Sequence, residues 1–252
     1  IIAAAIDAEL YENFTDVDAV FTANPTVIDK PMAIKQMTYR EMRELSYAGF
    51  SVFHDEALRP AFLKSIPVCI KNTNNPDAPG TMIVQQRDFS TQPVIGIAAD
   101  SGFSTLFVEK YLMNQEIGFG RKLLQILEDE GISFEHTPSG IDNMSIIIRN
   151  QYLSKESRRN MIHRITNELH VDDVHFRNKN YSMIMLVGEG MRHSKGLTAR
   201  AATAIAKANA NIEMINQGSS EVSLVFGINQ QDEQRVLQEL YKEFFQSSAV
   251  LV

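Results

Sequence analysis

The sequence predicts an α/β protein: a leading segment of alternating strands and helices, then two ferredoxin-like βαββαβ units, one of them discontinuous. Three observations predict it. Strand-like and helix-like patterns alternate to about Arg87 without a long run of either. From Pro93 the order β-α-β-β-α-β appears and then begins again, with "SIIIR" and "SLVFG" in equivalent places after tight polar turns. The second unit has no clear final strand, since "SSAVLV" is short, whereas "PVIGIAA" ahead of the first unit is a spare one. The spare strand is expected to complete the second sheet. Polar, Pro-containing "RDFSTQP" is the expected boundary, giving segments 1–88, 93–178 and 179–252.

The opening "IIAAAIDAEL" reads as the middle of a helix, so the segment is expected to begin inside a domain. "LYENFTDVDAVF" carries a strand and a loop. "TYREMRELSYAG" is a helix: Thr38 and Glu41 form a capping box, Met42 and Leu45 keep helical spacing, and Gly49 stands where a left-handed residue ends it. "SVFHDEALRPAFLKS" is a second helical region, "IPVCIKN" a buried strand, "NTNNPDAPGT" a turn-rich loop and "MIVQQ" the strand after it. In the first unit, "STLFVEKYL" leads to a helix in "IGFGRKLLQILEDE", with Phe119, Leu123, Ile126 and Leu127 on one face. Strands are expected at "ISFEHT" and "NMSIIIR", then a helix from about Ser154 to Leu169, then a closing strand "VDDVHFR". The second unit repeats this with "SMIMLVGE", "LTARAATAIAKAN", "NIEMINQ", "EVSLVFGI" and "DEQRVLQELYKEFF".

Hydrophobic content of 44% and charged content of 22% are ordinary globular values. The net charge of -7 with scattered Lys and Arg argues against nucleic acid and anionic membranes as main partners. The single cysteine, Cys69, excludes an internal disulfide and fits a reducing, cytoplasmic setting as a buried structural thiol. No apolar run approaches the roughly 20 residues of a membrane span, and the N-terminal stretch is no signal peptide.

Asp16 and Asp18 can bind a metal or accept hydrogen bonds from a ribose, or simply make Asx-type turns. Phe21 can stack on a base. His54, before Asp55 and Glu56, is a general base or a helix-start packing residue. No pattern supports zinc or serine hydrolysis. "IGFGRK" opens a helix with glycine, which seats an anion on free amides or serves a plain turn. Met183, Met185, Met191 and Met214 read as core fillers. Glu128, Asp129 and Glu130 stand at a helix C-terminus, where the macrodipole disfavours them.

Several motifs together resemble one family, the aspartokinases. "FTDVDAVFTANP" is similar to that family's nucleotide loop and "YREMRELSYAGFSVFHDEALRPA" to the helix pair after it. "IPVCIKNTNNPDAPGT" resembles the end of the kinase domain, and "VGEGMRHSKGLTARAATAIAKANANIEMINQGSSEVSLVF" the second ACT regulatory domain. The resemblance implies the C-terminal part of an amino-acid-kinase domain on 1–88. It implies a first ACT domain on 93–178, with a leading strand that can belong to the second, and a second ACT domain on 179–252. It also implies that the phosphate-cradling glycine motifs and the catalytic residues lie upstream. By resemblance, Thr15 and Asp16 contact ATP, and Phe21 stands where a tyrosine is usual at the adenine. Thr26 and Ser51 replace two cations, and Val52 matches. Met113, Gly118 and Phe119 match the loop and helix start that hold amino-acid effectors, with Glu135, Asp142 and Asn143 facing that pocket.

The function so implied is aspartate kinase, with ATP and Mg as cosubstrate, L-aspartate as acceptor, and feedback by lysine and/or threonine. A homo-oligomer through the ACT units is expected, because apolar strands such as "STLFVEKYL" and "SMIMLVGE" are liabilities unless paired. Two other readings stay open: an amino-acid-binding regulatory subunit without activity of its own, and a structural dimerisation module.

Overall fold

In the computed structural model, which describes residues 1–50, 55–90 and 92–246, a short helix α1 (Ile2–Ala5) precedes strand β1 (Tyr11–Thr15). Strand β2 (Gln36–Thr38) runs straight into helix α2 (Tyr39–Tyr47), and helix α3 (Asp55–Leu63) follows. Strands β3 (Val68–Asn72) and β4 (Thr81–Val84) complete a sheet of order β1-β3-β4-β2. Here β1 is parallel to β3, β2 is parallel to β4, and β3 and β4 are antiparallel. The capping box sets α2: the Glu41 amide donates to the Thr38 hydroxyl at 3.1 Å and the Thr38 amide to the Glu41 carboxylate at 2.9 Å. Met42 and Leu45 then fall on its buried face.

The remaining elements are β5 (Gly96–Glu109), α4 (Phe119–Asp129), β6 (Asn143–Arg149), α5 (Lys155–Leu169) and β7 (Asp173–Val187). After them come α6 (Leu197–Lys207), β8 (Met214–Gln217), β9 (Ser223–Asn229) and α7 (Glu233–Tyr241). Compact packing divides the chain into unit 1, residues 1–100 with 183–252, and unit 2, residues 101–182. The division falls inside β5 and β7 rather than at "RDFSTQP". The physical reason lies in Arg87, whose guanidinium is buried in unit 1 and anchors the start of that segment.

Unit 2 is built from the later part of β5, then α4, β6, α5 and the first part of β7, with strand order β6-β5-β7. Leu106, Leu123, Ile126, Leu127, Ile146, Ile148, Met161 and Ile165 form its core, the α4 face that helical spacing predicted. In unit 1 the second sheet has order β5-β7-β9-β8, with α6 and α7 against it. Val94 and Ile97 of "PVIGIAA" are buried with Ile184, Leu186, Ala201, Ile205, Phe226 and Leu240. The Ile95 amide donates to the Val187 carbonyl at 2.7 Å, and the Ile97 amide to Thr22 at 2.7 Å. The spare strand is thus stitched to the end of β7 on one hand and to the leading segment on the other.

Two elements differ from expectation. "VDDVHFR" and "SMIMLVGE" are one continuous strand, β7, running through the intervening "NKNY", because the 14-residue β5 offers its 15 residues a neighbour of nearly the same length. Neither "STLFVEKYL" nor "SMIMLVGE" is an edge: the strand part of the first lies between β6 and β7 in unit 2, and that of the second between β5 and β9 in unit 1. "ISFEHT" is not a regular strand and makes only the bridge His136 to Ile147, with Ser139 to Met144 beyond it. Pro138 lacks an amide and interrupts the ladder there. No helix among the described residues is long and apolar enough to cross a membrane.

Candidate nucleotide and effector sites

In unit 1 the parallel strands β1 and β3 end together, with Thr15 opposite Asn72. The Thr73 amide donates to the Thr15 carbonyl at 2.8 Å. Open α/β sheets hold their ligands beyond the carboxyl ends of parallel strands. Both "DVDAVFTANP" and "TNNP" leave from this edge. The Thr15 hydroxyl donates to the Asp16 carboxylate at 3.2 Å, and Asp16 is otherwise exposed. Asp18 is held more firmly: it accepts from the side-chain amides of Asn72 at 2.6 Å and Asn75 at 3.3 Å. Asn72, nearly buried, also accepts from the Asn74 amide at 2.8 Å. The local turns are therefore made by Asn72 and Asn24, and the two aspartates keep free carboxylate oxygens.

Phe21 is half-buried and bridges to Ala33. Thr26 gives both its amide and its hydroxyl to the Asn24 side chain, at 2.9 and 2.8 Å, in an Asx turn that closes the loop. Ser51, Val52 and His54 lie outside the described residues. The sequence reading passed over Lys71, a cation on β3 opposite Phe14. Its ammonium is 3.5 Å from Glu12 and 5.8 Å from the Phe14 ring centre. The alternation of "VCIKN" put Lys71 in a buried strand and drew attention away from it. Asn72, the other omission, is signalled by the asparagine cluster at a strand end.

The loop is tied inward at three points. Thr22 donates its amide to the Met32 carbonyl at 2.9 Å and accepts from Ile97, and the Met32 amide donates to the Tyr241 hydroxyl at 2.9 Å. Burial pushes the Cys69 thiol up, and the Glu12 carboxylate adds to the effect, as expected of a structural thiol.

In unit 2 the Leu112–Gly118 segment forms a short 3-10 turn before α4. Gly118 takes the left-handed conformation, φ +81°, and no side chain caps the helix behind it. The Phe119 amide donates to the Glu116 carbonyl at 3.3 Å, and the next two first-turn amides of α4 lack helical acceptors. Asp142 reaches this corner: its carboxylate accepts from the Leu112 amide at 2.9 Å, and its carbonyl from the Lys110 amide at 2.8 Å. Asn143, exposed, begins β6 opposite Glu109.

The other expected effector residues sit elsewhere. Met113 and Phe119 are buried in the core of unit 2, so only their backbone can face a ligand. Glu135 bonds by its amide to Ile147, four residues along β6 from Asn143, about 13 Å at the usual strand rise. Its carboxylate accepts from Arg149 Nε at 2.7 Å. The irregular "ISFEHT" segment carries it away from Asp142 and the Leu112 amide that Asp142 holds. Unit 1 repeats the device: Gly196, φ +77°, precedes α6 without a side-chain cap. A hollow of about 430 Å³ opens there, lined by Arg192, His193, Lys195, Gly196, Gln217 and Glu221 among others.

Residues 1–72 match the amino acid kinase family, and residues 184–244 match the ACT domain. A segment of the amino acid kinase family joined to an ACT domain is the class that the fold defines. The chain is 57% identical, over 97% of its length, to aspartokinase 3 of Bacillus subtilis, of which it covers 54%. It is 30% identical, over 98% of its length, to the chloroplastic aspartokinase 1 of Arabidopsis thaliana, covering 43% of that protein. The solved aspartate kinase of Clostridium acetobutylicum superposes with a TM-score of 0.92 at 39% identity, over 96% of this chain and 56% of that one. The chain is similar to aspartokinases along nearly its whole length, and it spans about half the length of the curated relatives it matches.

Proposed function

We propose that this chain is the nucleotide-side and regulatory part of an aspartate kinase. That enzyme moves the γ-phosphoryl group of ATP to the β-carboxylate of L-aspartate, giving ADP and 4-phospho-L-aspartate. The observation that carries the reading is the "TDVDAVFTANP" loop at the shared carboxyl end of β1 and β3, in a chain so similar to aspartokinases. Phosphoryl transfer is mostly positioning and charge neutralisation. In this reading Thr15 and Asp16 orient the nucleotide, Phe21 packs on the adenine, and Thr26, Ser51 and Val52 complete the contact set. Lys71 supplies a cation near the carboxyl edge where Thr26 and Ser51 bring none. Among the described residues no three His, Cys, Asp or Glu side chains group as metal ligands. Magnesium therefore enters the proposal on the phosphates of the cosubstrate.

Feedback belongs to the corner in unit 2. An α-amino acid offers a carboxylate to the open amides after Gly118 and an ammonium to Asp142, with Asn143 beside it. Asp142 takes the role first given to Glu135, which Arg149 already occupies. Lysine and threonine are the effectors proposed, in a cytoplasmic homo-oligomer.

The test is a hydroxylamine trap for aspartyl phosphate, run on the full-length protein that carries this chain, with MgATP and L-aspartate. Hydroxamate that forms only when both substrates are present, and falls when lysine or threonine is added, is the expected result. Amino-acid binding without any hydroxamate would point instead to a regulatory subunit.

A further inference from the structure

We infer that the carboxylate of Glu41 is the joint holding the ACT segment of unit 1 to its kinase-family segment, so that movement of the 189–193 turn is felt at the head of α2. The regulatory half of this inference rests on the proposed kinase reading; the mechanical half does not. A capping box asks one thing of its glutamate, an acceptor for the amide of the capping residue. Glu41 gives that with Oε2, which accepts from the Thr38 amide at 2.9 Å. The rest of the carboxylate is committed across the chain. Arg87 approaches side-on, with Nε to Oε2 at 2.8 Å and Nη2 to Oε1 at 2.6 Å. Oε1 also accepts the backbone amide of Glu189 at 2.9 Å. Glu189 opens the 3-10 turn that leads to Gly196 and α6.

Neither charge has access to water as an alternative. The Glu41 side chain is 0% exposed and that of Arg87 3%. Arg87 spends its other donors on the Gln92 and Asp88 carbonyls, both at 3.1 Å, and so fixes the two ends of the connection that leaves the kinase-family segment. A second ion pair, Arg40 to Glu189 at 3.3 Å, lies outside the first. The backbone leaves no slack beside it. A Cβ added to Gly188 would lie 2.0 Å from the Pro93 carbonyl oxygen, and one added to Gly190 2.6 Å from Pro93 Cα. A buried polar cluster with every member satisfied is rigid, and loss of one member strands the others. The 189–193 turn cannot shift without giving up the Glu41 bond, and Glu41 cannot shift without uncapping α2 and stranding Arg87.

The test is hydrogen–deuterium exchange on the purified protein, comparing it with Glu41→Gln and Thr38→Ala. Glu41→Gln is expected to speed exchange across 188–194 by about tenfold or more while unit 2 stays as it was. Thr38→Ala breaks the local cap alone and is expected to loosen the start of α2 and leave 188–194 unchanged. Should Glu41→Gln fail to fold, Glu41→Gln with Arg87→Met takes its place, since it leaves no unpaired buried charge. Unchanged exchange in 188–194 in the folded variant, or an equal rise with Thr38→Ala, overturns the joint. In the full-length enzyme the double variant is expected to keep its activity and lose most of its inhibition by amino acids. Inhibition that survives intact overturns the regulatory half. Absence of kinase activity in the unmodified enzyme sinks the kinase reading and leaves the exchange result to decide the joint by itself.

Discussion

Glu116 lies between two ammonium groups in unit 2, Lys110 at 2.6 Å and Lys122 at 2.8 Å. Their hydrogen bonds, that from Lys110 first, hold its carboxyl down to about 2 from an ordinary 4.5. A carboxyl depressed by folding contributes stability that is complete above its unfolded value and is lost as the pH falls through the folded one. The loss here falls between about pH 4.5 and about 2. Glu116→Gln is therefore expected to lower stability at neutral pH and to flatten its acid dependence in that window, read by urea titrations at several pH values. Equal acid slopes in variant and parent would refute the assignment. The acidic end of α4 also finds its reason at this scale. Asp129 accepts from Arg164 of α5 at 2.8 Å and from Gln125 at 3.0 Å, and Arg164 holds its carboxyl below the usual range. A partner 35 residues away leaves no local mark in the sequence. Arg87 was hidden for the same reason, whereas the Thr38–Glu41 box, complete within four residues, was legible at once.

Helix starts divide by chemistry. Those of α2 and α5 are closed by their own side chains, whereas those of α4 and α6 follow a left-handed glycine and carry no side-chain cap. At Gly118 a built Cβ meets nothing within 4 Å. Gly118→Ala therefore costs about 1 kcal/mol of backbone strain alone. Gly118→Asp adds a negative charge where the effector carboxylate is proposed to sit. Losing one charge-assisted contact is worth roughly 1.5–3 kcal/mol, so lysine affinity is expected to fall at least about tenfold with Asp and much less with Ala. Calorimetry showing equal loss for both would leave strain as the whole effect and remove the site. Gly188 is the opposite case, crowded rather than open. Gly188→Ala would drive a methyl into the Pro93 carbonyl and is expected to destabilise unit 1 by about 3 kcal/mol, read from chemical unfolding. A loss under about 0.5 kcal/mol, the scale of an ordinary surface change, would mean that the connection yields easily. Periodicity predicted most of these elements and the order of both ferredoxin-like units apart from the second strand of unit 2. It divided β7 in two and made "ISFEHT" a strand, because continuity depends on the neighbour across the sheet and on Pro138.

Over the whole molecule, the surface is acidic, with a net charge of -7, and β8 ends the second sheet of unit 1. Ile215 on that short strand is half exposed. Self-association through β8 is the expected form of the proposed homo-oligomer, visible by sedimentation at roughly tens of micromolar and abolished by Ile215→Lys. A clean monomer in the unmodified protein would refute it. The stitching of β5 has a different consequence, one of timing. Ile97 bonds to Thr22 and Ile95 to Val187, so the core of unit 1 draws on sequence from both sides of unit 2. As the chain leaves the ribosome, residues 1–100 must wait for partners that begin at residue 183. Unit 2 is contiguous and needs no such delay. Its first and last strands are neighbours, so once folded it brings its own two ends together. A closure of about eighty residues then becomes a short one, at a lower entropic cost. Unit 2 is in effect the splint on which unit 1 sets. Pulse labelling during refolding is expected to find amides of α4 and β6 protected before those of α2 and α6, and the reverse order would show that unit 1 closes unaided.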